Sequence, residues 1–125
     1  MRKPDLKGLT KLARVLSRTK KEHFDMTHWI RQSPCGTSAC IAGHAAAIFP
    51  SRFRRIRDME DDTHTYYKIQ HRTSGYRGPL AFAKGFNISL EDAELITIEH
   101  MWRTPKTAAK AVMTLVGNLK KSMKK

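Results

Sequence analysis

Two cysteines and three histidines lie close together in the first half of the chain, and both residue types bind zinc in proteins. They are His23, His28, Cys35, Cys40 and His44, with the spacing H-x4-H-x6-C-x4-C-x3-H. On a helix, Cys40 and His44 would lie one turn apart on the same face, with Cys35 on the preceding loop. His28 could supply a fourth ligand. The spacing therefore allows zinc at Cys35, Cys40, His44 and His28, although C-x4-C is wider than the usual C-x2-C.

The same residues have other interpretations. Cys40 can simply fill the core of an alanine-rich helix, as buried thiols often do, and His44 can be a core histidine. A disulfide between Cys35 and Cys40 is disfavoured in a cytoplasmic protein. Cys35, near a helix N-terminus, could be a nucleophile of lowered pKa, but no orienting aspartate or oxyanion site is identifiable. We favour buried thiols and predict no catalysis and no cofactor, with zinc as the alternative.

Positive charge is the second chemical feature of the chain. There are 24 lysines and arginines against 11 aspartates and glutamates, for a net charge of +13. The excess is concentrated in residues 1–57 and 104–125, whereas residues 58–103 are net acidic. Self-repulsion of this size destabilises a compact chain, and a polyanion would relieve it. The segregation favours nucleic acid as the partner over an ordinary solvated surface or an acidic protein.

Three stretches supply the cations. Basic residues recur every three or four positions between Asp5 and Lys21, opposite a stripe of leucines, and the last helix has a similar pattern. Arginines cluster at residues 52–57, and guanidinium groups bind phosphate in a bidentate manner. No signature of a sequence-specific nucleic-acid-binding fold is present. The predicted phosphate-binding residues are Lys7, Lys11, Arg14, Arg18, Lys21, Arg52, Arg54, Arg55, Arg57, Lys106, Lys110, Lys120 and Lys121.

The elements that would position these residues are mostly helical. We predict a mainly α, compact single-domain fold over residues 1–125, built around a buried alanine-rich helix at 39–48 that Thr37 or Ser38 would cap. Residues 23–32 are expected to form a short turn or a single helical turn, and residues 63–76 a small β-hairpin or an ordered loop. The other predicted helices span residues 5–21, 80–86, 89–98 and 105–121, with a lysine-rich tail at 119–125.

Length and hydropathy bound the class of protein. A chain of 125 residues suits one domain with its own core. No apolar run reaches the roughly 18 residues of a membrane span. The first residues also lack the apolar region of a secretory signal. We therefore expect a cytoplasmic protein with no membrane partner.

Two segments carry a resemblance to a known family. The stretch 24–29, FDMTHW, and the stretch 35–45, CGTSACIAGHA, resemble a family of small uncharacterised proteins of tailed phages and prophages, with the motifs "FDM…W" and "CGTxxCxxGxA". The resemblance continues in residues 90–95 and 104–109 and is weakest at 1–20 and 50–78. It implies a phage origin and action in an infected cell, but no established activity. An aromatic residue often stands at the position of His44 in that family, which implies structural cysteines rather than a zinc site.

Together these observations predict a function class rather than a reaction. We expect a non-catalytic, phage-encoded basic protein that binds DNA or RNA through phosphate contacts, without sequence specificity. The alternative is a phage effector that binds and inhibits a host defence or another host protein complex through its basic surface.

Overall fold

The computed structural model describes residues 3–24, 29–33, 36–97 and 104–123. These residues form five helices, one short 3-10 turn at Lys21–His23 and four strands. In chain order the elements are α1 (Leu6–Arg18), β1 (Ile30–Ser33), β2 (Gly36–Ala39), α2 (Ile41–Ile48), β3 (Phe53–Glu60), β4 (Thr65–His71), α3 (Pro79–Phe86), α4 (Leu90–Thr97) and α5 (Pro105–Met123).

The four strands form one antiparallel sheet in the order β2-β1-β4-β3. The prediction of a mainly α fold is therefore wrong, because the described residues combine helices with a four-stranded sheet. Residues 30–33, expected in a turn or a single helical turn, form β1, which pairs with β4 through Ile30 and Tyr67. That pairing joins residues far apart in the chain, so no local sequence pattern predicts it.

The predicted hairpin is partly correct. Residues 65–71 form β4, but its hairpin partner is β3, which holds most of the arginine cluster. The Asp61 carboxylate accepts hydrogen bonds from the backbone N–H groups of Thr63 (2.9 Å) and His64 (2.7 Å) and so closes the turn between the two strands. These two bonds lower the pKa of Asp61 to about 2, because they stabilise its charged form.

The helix α1 begins as predicted, because the Asp5 carboxylate accepts a hydrogen bond from the Gly8 N–H (3.0 Å). It ends at Arg18, three residues before the predicted end, where Thr19 adopts an extended conformation. Its leucines at positions 9, 12 and 16 are fully buried, and the helix packs along α5. The amphipathic pattern of α1 is thus confirmed.

The helix α2 is buried, as its composition predicts, with no exposed surface on Ile41, Ala42 or Ala45. Its predicted cap is wrong: Cys40 occupies the N-cap position, and Thr37 and Ser38 belong to β2. A side chain at position 43 would place its Cβ 2.0 Å from the carbonyl oxygen of Trp29. Glycine therefore allows α2 to approach the chain just before β1.

The last two helices begin at the predicted signals. The Ser89 hydroxyl accepts a hydrogen bond from the Asp92 N–H (3.0 Å), and the Thr104 hydroxyl accepts one from the Thr107 N–H (3.1 Å). Pro105 follows as the first residue of α5. Among the helices of the described residues, none has the length and apolar character that crossing a membrane requires.

Candidate nucleic-acid interface

Four cations follow the exposed side of α1 and form what we call the α1 basic face: Lys7, Lys11, Arg14 and Arg18. The leucines of the same helix point into the core, which leaves these side chains in solvent. Within the described part of the chain, none of the four forms an ion pair with a carboxylate. Lys21, predicted on the same face, is also exposed but lies in the 3-10 turn beyond the helix end.

A second row of lysines is exposed along α5. The row consists of Lys106, Lys110, Lys120 and Lys121, as predicted. Lys110 also lines a groove between α4 and α5, and Asp92 lines the same groove. Because α1 and α5 pack against each other, the two rows belong to one helical pair at the surface.

The arginine cluster does not act as one unit, because its members have different neighbours. The Arg52 guanidinium forms an ion pair with Asp5 (2.5 Å), donates to the carbonyl oxygen of Gly85 (3.2 Å) and lies 4.4 Å from the Phe49 ring centre. Arg57 lies 3.7 Å from the Glu60 carboxylate. Arg52 therefore links β3 to the start of α1, and Arg57 is partly neutralised.

The remaining two arginines line a cleft of about 500 Å³ beside α2, which we call the cationic cleft. Its polar lining is Arg54, Arg55, Arg72, His23 and His44, and the rest of its wall is apolar. The described residues contribute no carboxylate to this wall. Three arginines line the cleft with no described acid opposite them, which makes it a positive concave surface.

Two of the three guanidinium groups in the cationic cleft are held by neighbouring groups. The Arg72 Nε donates a hydrogen bond to the carbonyl oxygen of Pro50 (2.6 Å). The Arg55 guanidinium lies 4.8 Å from the centre of the Tyr67 ring, a cation–π distance. Arg54 forms no ion pair with any described acid. The guanidinium groups of Arg55 and Arg72 are thus oriented before a ligand arrives, which reduces the entropy lost on binding.

Arg72 is not among the phosphate-binding residues predicted from the sequence. It follows β4 directly, and the pairing of Phe53 with His71 brings it beside β3, where the Arg72 N–H donates to the Arg52 carbonyl oxygen (2.8 Å). Knowing the register of the β3–β4 hairpin would have identified Arg72 as a site residue. That register cannot be read from the arginine-rich sequence of β3.

The imidazole of His44 belongs to the wall of the cationic cleft. Its Nδ1 atom lies 2.9 Å from the backbone oxygen of Cys40, and its ring lies 6.0 Å from that of Phe24. Burial lowers the pKa of His44, and the nearby His23 lowers it further, while the backbone hydrogen bonds with Cys40 and Ala39 raise it. At pH 7 His44 is therefore neutral, and the fixed charge of the cleft comes from the arginines.

Two of the four predicted zinc ligands, His28 and Cys35, lie outside the described residues. Cys40 is buried, which supports the interpretation of a core thiol, and His44 lies one turn after it on α2. Among the described residues, no three potential ligands are grouped closely enough to hold a metal ion. The zinc site stays a prediction.

Acidic residues lie in other parts of the described structure. The turn between β3 and β4 and its flanks carry Asp58, Glu60, Asp61 and Asp62, and the first turns of α4 carry Glu91, Asp92 and Glu94. The α1 basic face lies on another element, whereas Arg54 and Arg55 of the cationic cleft share β3 with Asp58 and Glu60. The charge segregation of the sequence is thus kept for α1 and only in part for β3.

Comparison with known proteins adds no constraint. No protein-family model, no curated protein and no solved structure matches the chain. The resemblance to small phage proteins therefore stays a prediction.

Proposed function

We propose that this protein binds nucleic acid through phosphate contacts, without reading its sequence and without catalysing a reaction. The observation that carries the proposal is the meeting of the α1 basic face and the cationic cleft at one short segment. The Lys11 Nζ lies 5.5 Å from the centre of the Phe49 ring, and the next residue, Pro50, lines the cleft and accepts a hydrogen bond from Arg72. These contacts bring one cation of each group to the neighbouring residues Phe49 and Pro50, so we infer that the two groups act as one positive surface.

The size of this surface suits a polyanion better than a small anion. Four cations of α1 and three arginines of the cleft have no carboxylate opposite them in the described structure. The lysines of α5 add attraction over longer distances, and all of it acts on phosphates rather than on base edges. The proposal places the protein in the cytoplasm of an infected cell, where DNA and RNA are accessible.

The salt dependence of binding tests the proposal. If about six of these cations contact phosphates, the affinity for duplex DNA falls roughly thousandfold between 50 and 200 mM salt. Fluorescence anisotropy with labelled random-sequence DNA and RNA measures this. Absence of binding at 50 mM salt would overturn the proposal and favour a protein partner for the basic surface.

A matched pair of variants tests the location. Arg14→Gln with Arg18→Gln should make the slope of log affinity against log salt less negative by about 2. Arg57→Gln with Lys68→Gln removes the same charge, but these cations already lie 3.7 and 3.8 Å from Glu60 and Asp58. The control pair should therefore change the slope by less than about 1. Equal effects of the two pairs would show that only net charge matters.

Zinc remains the alternative to a cofactor-free protein. Elemental analysis of protein purified without chelator decides it, since a structural site would bind about one ion per chain. A negligible zinc content would rule out the site and leave the phosphate-binding proposal unchanged.

A further inference from the structure

We infer that the cationic cleft binds a nucleotide through a terminal phosphate, either as a free nucleoside monophosphate or as the phosphorylated end of a single strand. The inference deepens the proposed function and rests on it, since it names the part of the nucleic acid that enters the cleft. It is drawn from the size of the cleft, its apolar wall and the three arginines that line it.

The size of the cleft fits one nucleotide. Its volume of about 500 Å³ lies within the range of small-molecule sites, roughly 300–1,000 Å³. A duplex presents its phosphates on a convex surface, which a concave site of this size cannot enclose. A strand end or an unpaired nucleotide can enter, because its base is not fixed in a stack.

The apolar part of the wall suits a base or a sugar. It is formed by Ile30, Ala39, Ala46, Ala47, Pro50 and Phe53, together with the glycine of α2. Ala47 and Pro50 are the exposed members of this wall, and sites of this kind combine an apolar wall with a few polar groups that orient the ligand. Inorganic phosphate would leave this part of the cleft unused.

The charge of the cleft favours a phosphomonoester over a phosphodiester. A terminal phosphate carries about −1.5 to −2 charges at pH 7 and has three acceptor oxygens, whereas an internal phosphate carries one charge. Arg54, Arg55 and Arg72 line the cleft, and charge-assisted hydrogen bonds from guanidinium groups to phosphate are the strong ones. The second phosphate charge should therefore increase the affinity.

Direct binding measurements with small ligands and with oligonucleotides test the inference. Isothermal titration at low salt should show AMP binding, with adenosine and inorganic phosphate each at least about tenfold weaker. A single-stranded decamer with a 5′-phosphate should bind at least about tenfold more tightly than the same decamer with a 5′-hydroxyl. In Arg54→Gln the preference should fall to within about twofold. The control pair Arg57→Gln with Lys68→Gln should keep it.

The position of the ligand can be read by NMR. Adding AMP should shift the backbone amides of residues 43–47 and not those of residues 7–18. Arg54→Gln and Arg72→Gln should each remove these shifts while the circular dichroism spectrum stays native. Arg54→Gln is the safer of the two variants for the fold, because Arg54 forms no ion pair with a described acid that the substitution would break.

The outcomes separate this inference from the proposed function. Salt-dependent binding with equal affinity for the two decamers and no AMP binding would overturn the inference and leave the proposed function intact. AMP binding lost in Arg54→Gln, without binding of any oligonucleotide, would support the cleft as a free-nucleotide site and overturn the proposed function. AMP shifts along α1 instead of α2 would overturn the inference.

Discussion

Arg52 and Arg54 are two residues apart, yet the structure gives them opposite roles, and the paired variants Arg52→Gln and Arg54→Gln expose the difference. Each variant removes one positive charge from the same stretch of chain, so any effect of net charge is equal in both. Arg52 bridges β3 and the start of α1, whereas Arg54 lines the cationic cleft. We expect Arg52→Gln to lower stability with little effect on binding, and Arg54→Gln to do the reverse.

The cost at position 52 follows from three contacts. The ion pair with Asp5 is partly exposed, at 34% and 25% of the two side chains, so it contributes about 0.5 kcal/mol after solvent screening. The stacking of the guanidinium on Phe49 at 4.4 Å adds about 0.5–1 kcal/mol. The hydrogen bond to the Gly85 carbonyl adds about 1 kcal/mol. Arg52→Gln should therefore cost about 2 kcal/mol, or about 8 °C in Tm for a domain of this size.

Thermal unfolding and salt-dependent binding to a random single-stranded oligonucleotide give both readouts. Arg54→Gln should keep the native Tm within about 2 °C and make the salt slope less negative by about 1, since it loses one phosphate contact. Arg52→Gln, measured well below its Tm, should keep the native slope. The reasoning fails if Arg52→Gln changes the slope as much as Arg54→Gln while its Tm is unchanged.

Three further predictions concern stability. Gly117 lies exposed within α5 with open space where a Cβ would be, so Gly117→Ala should stabilise the fold by about 0.5–1 kcal/mol. Gly85→Ala should instead destabilise it by about 3 kcal/mol in urea unfolding, because the Cβ would lie 2.1 Å from the fully buried Phe53 ring. Burial lowers the pKa of His44 in the folded state, so His44 takes up a proton at a higher pH in the unfolded chain than in the folded one. The free energy of unfolding should therefore fall as the pH drops below about 6.5. Urea midpoints at pH 7.5 and 5.5 measure this, and His44→Gln should reduce the difference; an unchanged difference would contradict the assignment. Part of the slope should remain, because burial also lowers the pKa of His71.

The sequence predicted the elements whose signals are local. The leucine stripe of α1, the serine before α4 and the Thr104-Pro105 pair before α5 each act within one or two helical turns, and all three helices begin where these signals lie. The sheet depends on pairing between distant segments. β1 has four residues, and it is placed by β4, more than thirty residues further along the chain.

The same distinction applies to the site. Arginines occupy successive positions in β3, so the alternation that would show a strand and its two faces is absent from the sequence. Which arginines are free for phosphate depends in part on Asp5, which only the folded chain brings close to Arg52. Composition could identify a basic surface, but the cleft needs the register that places Arg72 beside β3.

The position of β3 at the outer edge of the sheet has a practical consequence for the behaviour of this protein at high concentration. An edge strand offers unpaired backbone groups to a second molecule, and proteins commonly prevent such pairing with charged side chains and irregular strand geometry. β3 has both, since most of its side chains are charged and its pairing shifts between Arg57 and Met59. The arginines therefore also keep this edge from joining another copy. Replacing several of them with apolar residues should cause aggregation, which a binding assay would misreport as lost affinity.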